Sequence, residues 1–223
     1  MPDQTCVIVG ASHAGTQLAL SLRQVGWAGR ILLVGDEPVK PYQRPPLSKD
    51  VLSGSKSPEQ IPIRPQAVLE NAGIEFLLGR RVEVIHRNRK ILYLDHGESL
   101  AYDKLALTLG AYPSRIRLTG SDKHGVQYLR KLADVEQIRQ FIGTGKSAVI
   151  VGGGYIGLEA GAVLRQAGMN VTVLEALPRV LQRVTAPLVS KFYERLHREN
   201  GLEVVTGALV TSIEGENSVE KVH

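Results

Sequence analysis

Two short glycine-rich stretches carry the residue types and spacing that receive phosphates. Gly10-Ala11-Ser12-His13-Ala14-Gly15 has the outline GxGxxG with Ser12 at its middle place, and Gly152-Gly153-Gly154-Tyr155-Ile156-Gly157 completes the pattern. In such a loop the first glycine permits a sharp turn, the small middle residue lets a pyrophosphate approach the backbone, and the last lets a helix pack closely. An acid follows each stretch at a useful distance: Asp36 lies 26 residues after Gly10, and Glu175 lies 23 after Gly152. Carboxylates so placed accept ribose hydroxyls. The candidate cofactor-binding residues are therefore Gly10, Ser12, His13, Ala14, Gly15 and Asp36 around the first stretch. Around the second they are Gly152, Gly154, Tyr155, Ile156, Gly157 and Glu175. His13 reads as a polar residue in the first turn of a helix. By itself the first stretch also fits a plain glycine turn between a strand and a helix.

Charge at the second stretch bears on the choice of nucleotide. A 2′-phosphate about 4 Å from Glu175 is disfavoured by roughly 4 kcal/mol at an effective dielectric of about 20, nearly three decades in affinity before salt screening. NADH is the expected donor. Arg179 and Arg183 lie near enough in sequence to keep NADPH as an alternative. Glu159, two residues past Gly157, is read as a carboxylate in the first turn of the following helix, where the positive end of the macrodipole favours it.

The elements that must hold these residues are legible as a repeat. Residues 7–26 align without gaps on residues 149–168, with nine of 20 positions identical. Each copy begins as a β-branched run (Val7–Val9, Val149–Val151), turns through glycines, and continues with helical apolar spacing into a second apolar run (Ile31–Gly35, Val171–Leu174). The pattern predicts two βαβ units, hence two Rossmann-type, three-layer α/β domains: residues 1–110 for one nucleotide and 111–223 for the other. Between them, Val82, Val84, Ile91, Tyr93, Leu105 and Leu107 alternate with polar residues, which predicts an antiparallel meander over residues 80–108. Helices are expected at Ala133–Ile142 and Pro187–Asn200, and short strands at Glu203–Val205, Leu209–Ile213 and Val219–Val222.

Composition narrows the chemistry. With 43% apolar residues in 223, the chain can bury a sizeable core. Cys6 is the only cysteine, so an internal disulfide, a CxxC redox pair and a cysteine metal cluster are excluded. Cys6 is expected as a small buried apolar residue, and no metal site is expected. The uncharged stretch Gln4–Leu22 is interrupted by polar residues too often for a membrane span, so a cytoplasmic protein is expected. The net charge of +5 favours acidic partners.

The proline-stiffened segment Pro41-Tyr42-Gln43-Arg44-Pro45-Pro46-Leu47-Ser48-Lys49 adds a specific signal. Gly35-Asp36-Glu37 followed by PYxRPPLSK, after a first βα unit and before a second, resembles the FAD-dependent ferredoxin reductase family, along essentially the whole chain. The resemblance implies that Gly10, Ser12, Gly15 and Asp36 hold the ADP half of FAD, that Arg44 lies against its phosphate-ribose region, and that Lys49 reaches the flavin ring. It places Glu159, in the GYIGxE pattern, at the nicotinamide-flavin junction, paired with Lys49, so the two are the candidate catalytic residues. Tyr155 would shield the flavin or simply pack. The chain departs from the family's Ala-Thr-Gly triplet with Thr108-Leu109-Gly110: the glycine turn at Gly110 is kept, and a hydroxyl contact at 109 is lost.

The implied activity is that of an FAD-dependent NAD(P)H:ferredoxin (or rubredoxin) oxidoreductase feeding an oxygenase. No thiol lies near residues 40–50 to relay electrons, so they are expected to leave singly toward an acidic [2Fe-2S] ferredoxin or a rubredoxin. Residues 80–90 hold five Lys or Arg against Glu83, and residues 115–198 hold 13 against six acids, so cationic docking faces are available. Two alternatives stand beside this: a redox sensor or binding protein of the apoptosis-inducing-factor kind, and an inactive nucleotide-binding fragment. Nucleic acid is disfavoured as a partner by the few aromatics and the acidic last 25 residues. Members of that family run to nearly twice this length, so the 223 residues are expected to be a piece that alone holds FAD weakly.

Overall fold

The run Cys6–Val9 is buried at every residue, as a strand covered on both faces must be, and with Thr5 it forms β1 (Thr5–Val9) in a computed structural model that describes residues 4–223. The chain turns through the first glycine stretch into α1 (His13–Gln24), whose inward residues include Gly15, Thr16 and Ala19, and returns as β2 (Arg30–Gly35) parallel to β1. A short helix α2 (Asp50–Ser53) follows, then α3 (Gln66–Asn71) and β3 (Ile74–Leu78). Next come β4 (Val82–His86), β5 (Ile91–Leu94), β6 (Ser99–Ala101) and β7 (Lys104–Leu107).

By packing, the chain divides into two units. The first runs up to Gln43 and resumes over Pro58–Tyr112; the second comprises Arg44–Ser57 and Pro113–His223. The boundary after Tyr112 falls two residues from the expected one. Arg44–Ser57 differs from expectation, because it packs with the second unit instead of the first.

The first unit is built on a parallel sheet of order β3-β2-β1-β7. Alternate residues of its strands feed two cores. Ile8, Ile31 and Leu33 meet Ala19, Leu69 and Ile74 on the helical side, while Val7, Val9, Leu32 and Val34 meet Leu92 and Leu94 of the antiparallel layer on the other. Three layers result. The meander is β4-β5-β6 only; Leu105 and Leu107 belong to β7, which pairs in parallel with β1. Alternation could not separate the two, because β7 is only partly buried and so carries the pattern of a half-exposed strand.

The second unit repeats the plan. After α4 (Leu132–Arg139), β8 (Ser147–Val151), α5 (Tyr155–Gln166) and β9 (Asn170–Glu175) form the βαβ unit. Then α6 (Pro187–Glu199) leads to β10 (Glu203–Thr206), giving a parallel sheet β10-β9-β8. Leu158 and Leu164 of α5 pack on Val171, Val173 and Val204, with Val180 and Leu202 completing the core. On the opposite face Val149 and Val151 are 42% and 47% exposed. The last strands are shorter than expected, β11 (Ile213–Glu214) and β12 (Lys221–Val222) forming a small antiparallel pair. No helix among the described residues is long and apolar enough to cross a membrane.

Candidate functional site

The first unit presents its glycine loop at the carboxyl end of β1, where nucleotide sites of parallel sheets form. Gly10 leaves the strand at φ +116°, a conformation that a side chain rarely adopts, and its N–H donates to the Val34 carbonyl at 2.8 Å. The Ser12 N–H donates back to the Gly10 carbonyl at 3.0 Å, and the Ser12 carbonyl accepts the first helical bond, from the Thr16 N–H at 2.9 Å. Ser12 is thus the N-cap, and its hydroxyl makes no cap bond. The first N–H groups of α1 have no intrahelical acceptor, which with the helix dipole makes the loop fit a diphosphate. His13 is the first residue of α1 and, like Ala14, is exposed.

Asp36 follows β2 directly and is exposed; its Oδ2 accepts a hydrogen bond from the Tyr112 hydroxyl at 3.0 Å. The ring of Tyr112 carries the Arg81 guanidinium 5.6 Å from its centroid. Gly110 turns at φ +67°, so the expected glycine turn is present. Leu109, where the family's hydroxyl is missing, is 63% exposed.

The second unit holds both candidate catalytic residues. Pro45 and Pro46 fix the start of a single 3₁₀ turn, Pro45–Ser48, which delivers Ser48 and Lys49 to the side of α5. There Lys49 Nζ lies 2.7 Å from Glu159 Oε2, and the Ser48 hydroxyl donates to the same oxygen at 2.6 Å. Lys49 Nζ also donates to the Pro45 carbonyl at 3.2 Å. Two residues 110 apart in sequence thus form one charged pair. Glu159 is the fifth residue of α5 and not in its first turn as expected, since the helix begins at Tyr155. Its partners are the Lys49 ammonium and the Ser48 hydroxyl. Ser48, buried at 4% exposure, carries no distinguishing mark in the sequence, where it is one of several serines beside a lysine. Arg44, from the same segment, donates from one guanidinium nitrogen to the Arg130 carbonyl at 2.7 Å.

The second glycine loop repeats the first. Gly152 turns at φ +112° and its N–H donates to the Leu174 carbonyl at 2.8 Å, while Gly154 caps α5 by accepting from the Leu158 N–H at 3.0 Å. Glu175 is clamped by the backbone. One oxygen accepts from the Gly153 N–H at 2.7 Å and the other from the Leu177 N–H at 2.8 Å, so the carboxylate is tied to the loop it serves. A cleft of about 570 Å³ opens here, lined by Gly152, Gly154, Tyr155, Glu175, Arg117 and Arg183 among others. Tyr155 makes an edge contact with Tyr193, ring centroids 6.4 Å apart.

The two arginines that kept NADPH open part company. Arg179 is spent on structure: its guanidinium donates to the Thr185 and Gln182 carbonyls and to the Ser190 hydroxyl, at 2.9, 3.1 and 2.7 Å. Arg183 is exposed at the rim of the cleft.

A family model described as pyridine nucleotide-disulphide oxidoreductase matches residues 4–223. The chain is 44% identical to a ferredoxin–NAD(P)(+) reductase of a Sphingomonas species over 198 residues, covering 89% of this chain and 48% of that one. It is 42% identical to putidaredoxin reductase of Pseudomonas putida over 223 residues, covering 99% of this chain and 53% of that one. Among solved structures, a covalent putidaredoxin reductase–putidaredoxin complex matches with a TM-score of 0.90 at 40% identity, over 100% of this chain and 54% of that one. The chain spans about half the length of these relatives.

Proposed function

The chain belongs to the pyridine nucleotide-disulphide oxidoreductase family, and on that premise we propose that it is a flavoprotein that takes a hydride from NADH and passes single electrons to a ferredoxin or rubredoxin serving an oxygenase. The observation that carries the reading is the pairing of Lys49, from the proline-stiffened motif, with Glu159, from the helix behind the second glycine loop. FAD, when bound, accepts electrons as a pair and releases them one at a time.

The residues of the chain divide the work. Gly10, Ser12, His13, Ala14 and Gly15 supply the backbone cradle for the FAD diphosphate, with Asp36 and Tyr112 beside its ribose and Gly110 closing the strand that flanks the loop. Gly152, Gly154, Ile156 and Gly157 do the same for NADH, and Glu175, already fixed by two backbone N–H groups, accepts the ribose hydroxyls. Lys49 holds a fixed cation where negative charge develops during hydride transfer, and Glu159 keeps that cation in place. Tyr155 lines the cleft beside Glu175, where it would shield the flavin until nicotinamide displaces it, and Arg44 steadies the segment that carries Lys49 through Arg130.

Cys6, 5% exposed with its thiol pushed up by burial, offers no thiol relay. Electrons therefore go to an external carrier. The exposed turn bearing Arg87, Arg89 and Lys90 is a cationic face suited to an acidic redoxin, without membrane or nucleic acid. The test is NADH-driven reduction of a [2Fe-2S] ferredoxin and of a rubredoxin by the native protein carrying its flavin, at increasing salt. Turnover with either carrier that falls as salt rises supports the reading, and no turnover with both rejects it.

A further inference from the structure

The triplet Thr108-Leu109-Gly110 loses a hydroxyl at 109 and gains one at 108, and the gained one is placed with purpose. Thr108 follows β7, its N–H continuing the ladder to the Val9 carbonyl at 2.8 Å. Its hydroxyl has one proton and two acceptors in reach, the Gly10 carbonyl at 2.9 Å and the Val9 carbonyl at 3.1 Å. The same oxygen lies 2.9 Å from where a Cβ would stand on Gly10 and 2.9 Å from where one would stand on Gly15. A Cβ on Gly10 would meet the Thr108 carbonyl at 2.1 Å and one on Gly15 the Gly10 carbonyl at 2.1 Å, so the loop closes tightly with the Thr108 hydroxyl beside both positions.

The Gly10 carbonyl that it engages is also the acceptor of the Ser12 N–H, at 3.0 Å, so one hydroxyl holds the peptide that sets the loop's turn. The second loop is held differently: a Cβ on Gly152 would meet nothing within 4 Å, and the hold falls on Gly153, whose N–H donates to Glu175 at 2.7 Å and whose carbonyl accepts from the Leu181 N–H at 2.9 Å. We propose that Thr108 is a positioning residue that locks the first glycine loop through the Gly10 carbonyl and so preorganises it for a tightly held dinucleotide. This rests on the reading of the first loop as the FAD cradle. A loop already fixed before binding surrenders less freedom when the diphosphate arrives.

Thr108→Val removes the hydroxyl at nearly constant volume, and Thr108→Ser keeps it. Both should be made in the full chain, with FAD affinity read by flavin fluorescence, exchange of the Ser12 amide by NMR, and NADH affinity as an internal control. The valine variant is expected to bind FAD about five- to tenfold more weakly, the scale of one hydrogen bond. Its Ser12 amide should exchange faster, with NADH affinity unchanged and both effects reversed by serine. Equal losses in the valine and serine variants would make Thr108 a packing residue and overturn the proposal, as would unchanged FAD affinity and exchange in the valine variant. A wild-type chain that binds no FAD, yet whose Ser12 exchange still answers to valine and recovers with serine, supports the lock and removes the cofactor reading instead.

Discussion

The Lys49 and Glu159 side chains are 47% and 30% exposed, so water screens the pair and their Coulomb attraction alone contributes little to stability. Their value lies in placement. Lys49→Ala is expected to slow reduction of the bound flavin by NADH about tenfold while changing FAD retention little, because a cation fixed beside developing charge acts on the transition state. Glu159→Ala should add less than its own effect to that variant, since both act through one pair. Ser48→Ala should lie between wild type and Glu159→Ala; an effect as small as that of a remote surface serine would remove Ser48 from the site. At the second glycine loop, Glu175→Gln keeps a side-chain oxygen for one backbone N–H while removing the charge that rejects a 2′-phosphate. The ratio of kcat/KM for NADH to that for NADPH should fall by at least about tenfold, roughly 1.4 kcal/mol. An unchanged ratio would place discrimination elsewhere, with Arg183 the residue to examine, since Arg179 is tied to Thr185, Gln182 and Ser190. The glycines and acids of both loops could be read from spacing, because backbone turns and helix starts are local. Ser48 and Thr108 could not, because a hydroxyl's partner 111 or 98 residues away leaves no local trace.

The strands and helices that were legible are those whose burial imposes a period. β1, β2, β8 and β9 read directly as β-branched apolar runs, and α5 as helical spacing after glycines. β3 was not legible: Ile74-Glu75-Phe76 is buried only at Ile74 and places Glu75 outward, where it pairs with Arg30 of β2 at 2.7 Å. β7 was drawn into the meander because its alternation is that of any half-exposed strand, and only pairing with β1 assigns it to the parallel sheet. On α6 a consequence follows from His197, which is buried against Tyr193 with ring centroids 6.2 Å apart. Burial holds its imidazole below the ordinary value of 6.5, so as pH falls the unfolded chain takes up the proton first. The stability of the protein should be level above about pH 7.5 and decline from about pH 6.5 downward, by at most about 1.4 kcal/mol per pH unit from this group, until the folded value is passed. His197→Phe keeps an aromatic ring beside Tyr193 and should flatten that part of the melting-temperature profile. A profile that keeps its slope would assign the acid sensitivity to other groups.

The molecule uses one βαβ plan twice, each copy carrying a glycine loop after its first strand and an acid at its second, with different equipment added to each. The first copy gained a meander and the Thr108 brace. The second gained the segment Arg44–Ser57, which brings Ser48 and Lys49 to Glu159, and an open cleft beside Glu175. The repeat was plain in the sequence; the transfer of Arg44–Ser57 to the second unit was not, because the segment's residues carry no period and its hydrogen-bond partners Arg130 and Glu159 lie 86 and 111 residues from Arg44 and Ser48. If the cationic turn at Arg87, Arg89 and Lys90 is the docking face, reversing Arg87 and Arg89 to Glu should raise the KM for an acidic redoxin and weaken its salt dependence, with flavin reduction by NADH unaltered. Electron transfer from NADH through FAD to a one-electron carrier is read in a single experiment by anaerobic stopped-flow mixing of the native, flavin-loaded protein with NADH, followed by addition of oxidised ferredoxin or rubredoxin. Rapid loss of the flavin's visible absorbance is expected with NADH, slower loss with NADPH at equal concentration, and recovery of that absorbance as the carrier is reduced. Flavin that stays oxidised with both nucleotides, or that once reduced does not react with either carrier, would contradict this route.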